Sequence, residues 1–430
     1  MRQALPRFSR RQLLQAGAAL GASACLPAPA AETKGQKIQL SVATFPLMDQ
    51  IVKDCLKTWG PQHPEIEVEI VNRQYDDHHT AMTTALSTSG HLPDIIALES
   101  SYMGRFAFGN GLDDLSAPAF GAEAYRSLFV PFAFEQARNR EHRIIAMPAD
   151  IGPGTLFYRT DLLAKAGLKE EDLTRSWDDY VEAGARIKAA TGAYLIGHTR
   201  LVKDIVSRAG AKAGDGLFFD ASGQPAITSH RFQRAFEVAK RVRELKLDAQ
   251  VDTWFNDWAE SLKRGRLATE MSGAWMAGQM ANWVAPKTAG LWRAAMPPER
   301  TCVAYGGTYY AIPRRSDPAK KQAAWTLIKE LCLSRSRQLQ AFKTQDSFPS
   351  LLSAQDDPFF DEPLPFLAGQ PARQLWRDIA RSIPITQMHK QNKFADEVVN
   401  GELDNVLEYG KPIPEALADA QALLVHRANR

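Results

Sequence analysis

The chain has 430 residues, 45% of them hydrophobic and 23% charged, which suits two or three domains with proper cores and excludes a disordered, collagen-like or disulfide-stapled chain. Its formal net charge of +3 comes from the first residues: Arg2, Arg7, Arg10 and Arg11 precede the first acid, Glu32, and without them the balance is −1. No basic face is then left to neutralise a phosphate backbone, so nucleic acid is excluded as a partner.

In chain order the first feature is a leader. Ser9-Arg10-Arg11-Gln12-Leu13-Leu14 sets two arginines ahead of a weakly apolar stretch reaching Leu26, and Ala28-Pro29-Ala30 follows. This resembles a twin-arginine export signal cleaved after Ala30. The stretch is too short and too rich in Ala and Gly for a spanning helix, which needs ~20 mainly apolar residues. Ala22-Ser23-Ala24-Cys25 is a poor lipoprotein box because it lacks the usual Leu, so a soluble periplasmic protein is expected over one anchored at Cys25. Of the remaining cysteines, Cys55, Cys302 and Cys332, at most one pair can bridge; Cys55 and Cys332 fall on apolar helix faces and read as small buried hydrophobes.

Ile38, Leu40 and Val42 alternate with polar or small residues, as do Ile66, Val68 and Ile70 against Glu65, Glu67 and Glu69, which is the period of strands. Between them Ile51, Val52, Cys55, Leu56 and Trp59 lie on one face of a helix. Met82, Ala85 and Leu86 repeat that spacing before Asp94-Ile95-Ile96-Ala97-Leu98, a run that predicts a strand buried on both faces. The order β-α-β-α-β predicts an open parallel sheet, and such sheets bind ligands outside the carboxyl ends of their strands. Phe45, Tyr75 and Glu99 are expected at those ends.

After Pro148 a second block begins. Ser176-Trp177-Asp178-Asp179 reads as a helix start, and a further helix is expected from His230 to Leu245. Gly265 to Met271 reads as a short strand, Asn256-Asp257 as a helix cap, and Pro297 to Thr301 as a turn into a strand over Tyr305 to Ile312. The chain turns helical from Asp317, with Ala324, Leu327, Ile328 and Leu331 as the buried stripe, and again where Ile413, Leu417, Ala420 and Leu424 recur. Asp76-Asp77-His78-His79 is a metal-like cluster, but adjacent histidines on a helix face apart, and an Asp-capped helix entry is favoured.

Several of these segments resemble the extracellular solute-binding proteins of ABC importers, in the group that includes the periplasmic maltose-binding protein. The pieces occur in that family's order: Leu92-Pro93-Asp94-Ile95-Ile96, then Ala146-Met147-Pro148-Ala149-Asp150 running into Leu156-Phe157-Tyr158-Arg159-Thr160-Asp161-Leu162, then Lys165-Ala166-Gly167-Leu168 and Ser176-Trp177-Asp178-Asp179-Tyr180. Gly265 to Trp275, Gly306-Gly307 leading into Ala311-Ile312-Pro313, and Ala323-Ala324-Trp325 complete the set. Each alone is weak; together and in order they are specific. Ala274 stands where the family often has Pro, which leaves the turn before Trp275 less rigidly specified.

The resemblance implies an α/β fold of the type II periplasmic-binding-protein kind, two lobes with a hinge and an interlobe cleft that closes on its ligand. It places lobe 1 over residues 31–148 and 306–349 and lobe 2 over 149–305 and 350–430. Carbohydrate needs partners for its hydroxyl groups and flat rings for its C–H faces. By position in the motifs, Glu99 and Asp150 are the candidate acceptors and Trp275 and Tyr309 the stacking platforms, with Phe45, Tyr75, Gly307 and Trp254 behind them. The competing readings are a solvated strand end for Glu99, a turn residue for Asp150 and plain core for Trp275.

The function implied is capture of a sugar or oligosaccharide by a monomer and its delivery to ABC permease subunits, with no cofactor, no metal and no bond broken. A polyamine, a polyol or a glycerol phosphate is the rival ligand within that class. An exported polysaccharide hydrolase is the rival from another class, because paired carboxylates need only meet in space. The chain has no GxSxG, GxxxxGKS/T or HExxH motif, which weighs against an enzyme.

Overall fold

The computed structural model describes residues 37–88, 90–211 and 214–428; the leader expected over residues 1–30, with Cys25, lies outside them. The alternation at the start of the described chain becomes strand β1 (Ile38–Thr44), with Leu40 and Val42 buried. Helix α1 (Met48–Trp59) buries Ile51, Val52, Cys55 and Trp59 along one stripe. Strand β2 (Ile66–Asn72) leaves Glu67 and Glu69 in solvent, which suits the edge position it takes. Helix α2 (Tyr75–Ser87) and the almost wholly buried strand β3 (Ile95–Glu99) complete the β-α-β-α-β order, and helix α3 (Ser100–Ala107) follows directly.

The sheet is mixed where the sequence predicts a parallel one. Its order is β2-β1-β3-β7-β4-β5, formed with β4 (Met147–Arg159), β5 (Thr269–Gly273) and β7 (Ala304–Ala311), while β6 (Trp292–Ala295) pairs with β4 off that path. β1 pairs in parallel with β2 and β3, but β7 enters antiparallel between β3 and β4. β4 is long enough to serve two neighbourhoods: its first half pairs with β7, and its second half lies between β5 and β6. The β4–β7 register slips between Pro148 and Asp150 and again between Ile151 and Pro153.

Helix Trp177–Thr191 starts where expected, with Ser176 accepting from the Asp179 amide at 3.0 Å, and helix Pro318–Leu333 is capped by Asp317. Two expectations shift. The strand predicted from Gly265 starts only at Thr269, because Leu267 is drawn into a bridge with Tyr194. Asn256 and Asp257 lie inside the first turn of helix Asn256–Lys263, with Phe255 at the capping position, and make no cap hydrogen bond.

One buried cluster runs through β1, β3, β7 and the helices on their faces; a second fills the space around Trp177, Tyr180 and Ile187; a third joins helix His230–Glu244 to helices Asn392–Tyr409 and Ile413–Ala428. Cys55 and Cys332 are buried free thiols, the former pushed up to about 12 by burial, and Cys302 is half-buried. Among the described residues no helix is long and apolar enough to cross a membrane, and no group of three or more His, Cys, Asp or Glu is placed to hold a metal ion.

Candidate functional site

Parallel pairing of β1 with β3 brings the carboxyl ends of both strands to one edge, where Phe45 and Glu99 stand. Tyr75 joins them from the start of α2, its ring edge-on to Phe45 at 5.6 Å and its hydroxyl donating to the Glu99 carboxylate at 2.8 Å. Glu99 is also the N-cap of α3: it accepts from the Ser101 amide at 2.8 Å, from the Ser100 hydroxyl at 2.7 Å and from the Ser101 hydroxyl. These donors hold the carboxylate in one orientation at a positive helix end.

The opposite wall is aromatic. Trp275 follows the end of β5, and its indole N–H donates to the Tyr305 carbonyl at 2.9 Å. Trp254 stacks on it, rings 5.7 Å apart and inclined by only 14°, while remaining 59% exposed. Trp254 holds a φ of 78°, unusual for a bulky side chain and a mark of local strain. Trp258 lies behind it at 5.6 Å, buried, with its indole N–H on Glu270 at 3.0 Å.

Gly306, at the start of β7, is where the two walls meet. A Cβ on it would stand 3.3 Å from the Trp275 ring nitrogen and 4.0 Å from the nearer Glu99 oxygen, and its φ of 93° already demands glycine. A carboxylate held by internal donors and an exposed indole stack therefore flank one bare stretch of backbone. Gly307 continues it, pressed against the Asp150 carbonyl.

Asp150 sits lower, in β4, and is buried. Its carboxylate accepts from the Ser347 hydroxyl at 2.6 Å and is also hydrogen-bonded by Thr308. Burial pushes it up to about 6 against the pull of those donors. It therefore ties β4 to the segment that bridges at Pro349. Tyr309 differs from its expected role as a platform: it is 1% exposed, its ring packed in the core and its hydroxyl donating to Gln136 at 3.1 Å. Both faces of β7 are covered from Thr308 to Ala311, and Tyr309, paired with Leu98 and Pro148, has no open face for stacking.

Helices Thr199–Ala209 and Asn392–Tyr409 supply a polar flank that the sequence reading missed. Arg208 donates to the Ala304 carbonyl at 2.8 Å and lies over the Tyr305 ring at 5.4 Å. Lys203 is fully buried between Asp204 and, at 3.7 Å, Asp396. Asn392 is buried with neither amide atom partnered among the described residues. The signal available was a lysine beside Val202, Ile205 and Val206 on an otherwise apolar helix face, since a buried lysine needs an acidic partner from elsewhere in the fold.

Glu270 gives a test of the ground beneath this wall. One of its oxygens accepts from Trp258, the other has no partner, and burial pushes it up from 4.5 to about 7. A carboxyl raised on folding lets the native state hold a proton that the unfolded chain has lost, so stability is full below the ordinary value and declines as pH rises through 7. Glu270→Gln keeps the acceptor without the charge. It should exceed the parent by about 3 kcal/mol in denaturant unfolding at pH 8 and match it near pH 4.5.

A family model described as bacterial extracellular solute-binding protein matches residues 50–365. A lactose-binding protein of Rhizobium radiobacter is 25% identical, the alignment covering 85% of this chain and 87% of that one. Among solved structures, an extracellular solute-binding protein of family 1 superposes with a TM-score of 0.79 at 22% identity, over 91% of this chain and all of that one. An ABC transporter associated binding protein from B. animalis subsp. lactis, in complex with beta-1,6-galactobiose, gives a TM-score of 0.75 at 23% identity, over 91% and 98%.

Proposed function

The chain belongs to the bacterial extracellular solute-binding proteins, whose family model spans most of it, and from that premise we propose that it captures a sugar or short oligosaccharide between its two α/β lobes and hands it unchanged to an ABC permease. The observation that carries this reading is the meeting of Glu99 with Trp275 over Gly306. A pyranose presents both hydroxyl groups and a flat C–H face, and here an oriented acceptor and a flat ring stand on either side of one glycine backbone. Trp254 extends the aromatic wall, Tyr75 and Phe45 stand on the Glu99 side, the Gly307 backbone continues from Gly306, and Asp150 braces the crossing strand. The lactose-binding relative and the galactobiose complex support the same ligand class.

A polyamine is the rival ligand: Glu99 accepts from Tyr75, Ser100 and Ser101 and Asp150 from Ser347, and these neutral donors leave the carboxylates' charge in place. The sugar reading is therefore favoured by the ligands of the relatives. In this reading the leader takes the chain to the periplasm by the twin-arginine route, and the protein works as a monomer. The lobes exchange near Pro148, Tyr305 and Pro349, in keeping with the β4–β7 crossing and the Asp150–Pro349 bridge.

Thermal unfolding of residues 31–430 against neutral mono- and disaccharides including lactose, polyols, polyamines and glycerol phosphates tests the proposal. A ligand that binds only the native state stabilises it by about 2.7 kcal/mol at a hundredfold excess over Kd. A selective rise with one sugar class, and the sugar recovered intact, is expected. A rise with polyamines alone, or cleavage of an offered glycan, would overturn it.

A further inference from the structure

Behind Glu99 stands a buried histidine, His79. We propose that His79 is a positioning residue for Glu99, acting as the neutral tautomer that carries its proton on Nδ1; the proposal rests on Glu99 belonging to the sugar site. The backbone N–H of Glu99 donates to His79 Nε2 at 3.1 Å, so that nitrogen presents a lone pair. Nδ1 lies 2.8 Å from the Tyr75 carbonyl, which can only accept, so Nδ1 carries the hydrogen.

The ring thus joins the end of β3 to the first turn of α2, and the Tyr75 hydroxyl closes the circuit on the Glu99 carboxylate. It is fully buried and lies parallel to the Tyr102 ring at 4.0 Å. Tyr102 is in turn held by its hydroxyl on Asp76.

The charged and titratable groups around the ring come from three directions. Asp76, Tyr75 and His78 belong to its own helix, Glu99 and Tyr102 to the β3–α3 junction, and Lys393 to helix Asn392–Tyr409, while Phe45 closes the β1 side without charge. Burial is the largest influence and, with Lys393, opposes a cation; the Tyr75 carbonyl, Glu99 and Asp76 favour one but do not offset it, so the ring is held below the usual histidine range. A proton added at Nε2 would set two N–H groups against each other. The Glu99 backbone would lose its acceptor and the carboxylate its fixed orientation.

Two measurements on the full mature chain test this. In the first, imidazole ¹⁵N resonances report the tautomer and the Glu99 amide resonance is followed as pH falls, without ligand. An unprotonated Nε2 is expected, with the Glu99 amide moving as His79 protonates in the parent but not in His79→Gln, whose side-chain carbonyl can accept the same bond without titrating. In the second, lactose is the probe and Kd is measured from pH 8 to pH 5. The span is then extended below the pH at which the Glu99 amide shows His79 half protonated, and across that midpoint the parent should lose about five- to tenfold more affinity than His79→Gln; the difference is the readout, because Asp150 also titrates in this range. His79→Leu should weaken binding at every pH. An Nε2-protonated tautomer, or equal pH dependence of the Glu99 amide in both proteins, would overturn the proposal. If no sugar binds the parent, the proposed function fails and the amide titration alone decides the role of His79.

Discussion

Trp275→Ala should weaken sugar binding by about two orders of magnitude and leave the protein folded. The side chain is only partly buried, and it is fixed from both ends: its N–H is on the Tyr305 carbonyl and one face is against Trp254. Truncating an aromatic anchor in the centre of a binding site costs about 2–4 kcal/mol. The mutant also frees the Tyr305 carbonyl and strips Trp254 of its stacking partner, so the wall loses shape as well as area. Trp275→Phe, which keeps a flat ring but no N–H, should fall between the two. Calorimetric titration gives the affinity, and a thermal melt separates the alternatives: unchanged affinity would remove Trp275 from the site, whereas a collapsed melt would assign it to the core.

A second large effect is expected from a single methyl group. A Cβ on Gly152 would lie 1.9 Å from the Tyr305 carbonyl oxygen and 2.6 Å from its carbon. Both are backbone atoms that cannot rotate away, so β4 and β7 must part. Gly152→Ala should cost about 3 kcal/mol or more. It should also displace the oxygen that receives the Trp275 N–H, so binding and stability fall together. Gly60→Ala, where the added carbon meets nothing within 4 Å, is the matching control and should change neither by much. Denaturant unfolding of the three proteins checks the ranking; a Gly152→Ala protein as stable as the parent would show that the strands can slide apart without penalty.

What the sequence reveals, and what it hides, divides along the range of the interactions involved. The first three strands and two helices were legible because periods of 2 and 3.6 are local, and Ser176 and Asp317 announced their helices by caps formed within three residues. The family resemblance, carried by short segments in a fixed order, was likewise legible and is confirmed by the family model.

The mixed sheet was not legible. β7 follows β3 by some two hundred residues, and nothing in Ala304–Ala311 states which neighbour it will take or in which direction. Tyr309 has no open face for a related reason: β3 and β4, which flank it, and the layers that cover both faces of β7 come from far away in sequence. In sequence His79 stands out only as part of a metal-like cluster, because its role lies in a donor from Glu99, twenty residues away, and an acceptor in its own helix. The Lys203–Asp396 pair spans helices nearly two hundred residues apart. Trp254 was legible as an aromatic near the Trp275 motif, but its left-handed backbone and parallel stacking were not.

The crossing of β4 with β7 has a consequence for how much freedom the molecule gives up when it grips a ligand. Two antiparallel strands bonded along their length resist stretching and sideways shear, and the slips at Pro148 and Ile151 interrupt that bonding at only two short places. Beyond them β4 is clasped between β5 and β6, and on the other side β7 is clasped to β3. Such a ribbon behaves as a torsion bar: rotation about its long axis is soft and other relative motions are stiff. For the proposed lobe closure this means that motion is confined to one coordinate, so little orientational entropy would be lost at capture and a small ligand with few contacts would suffice.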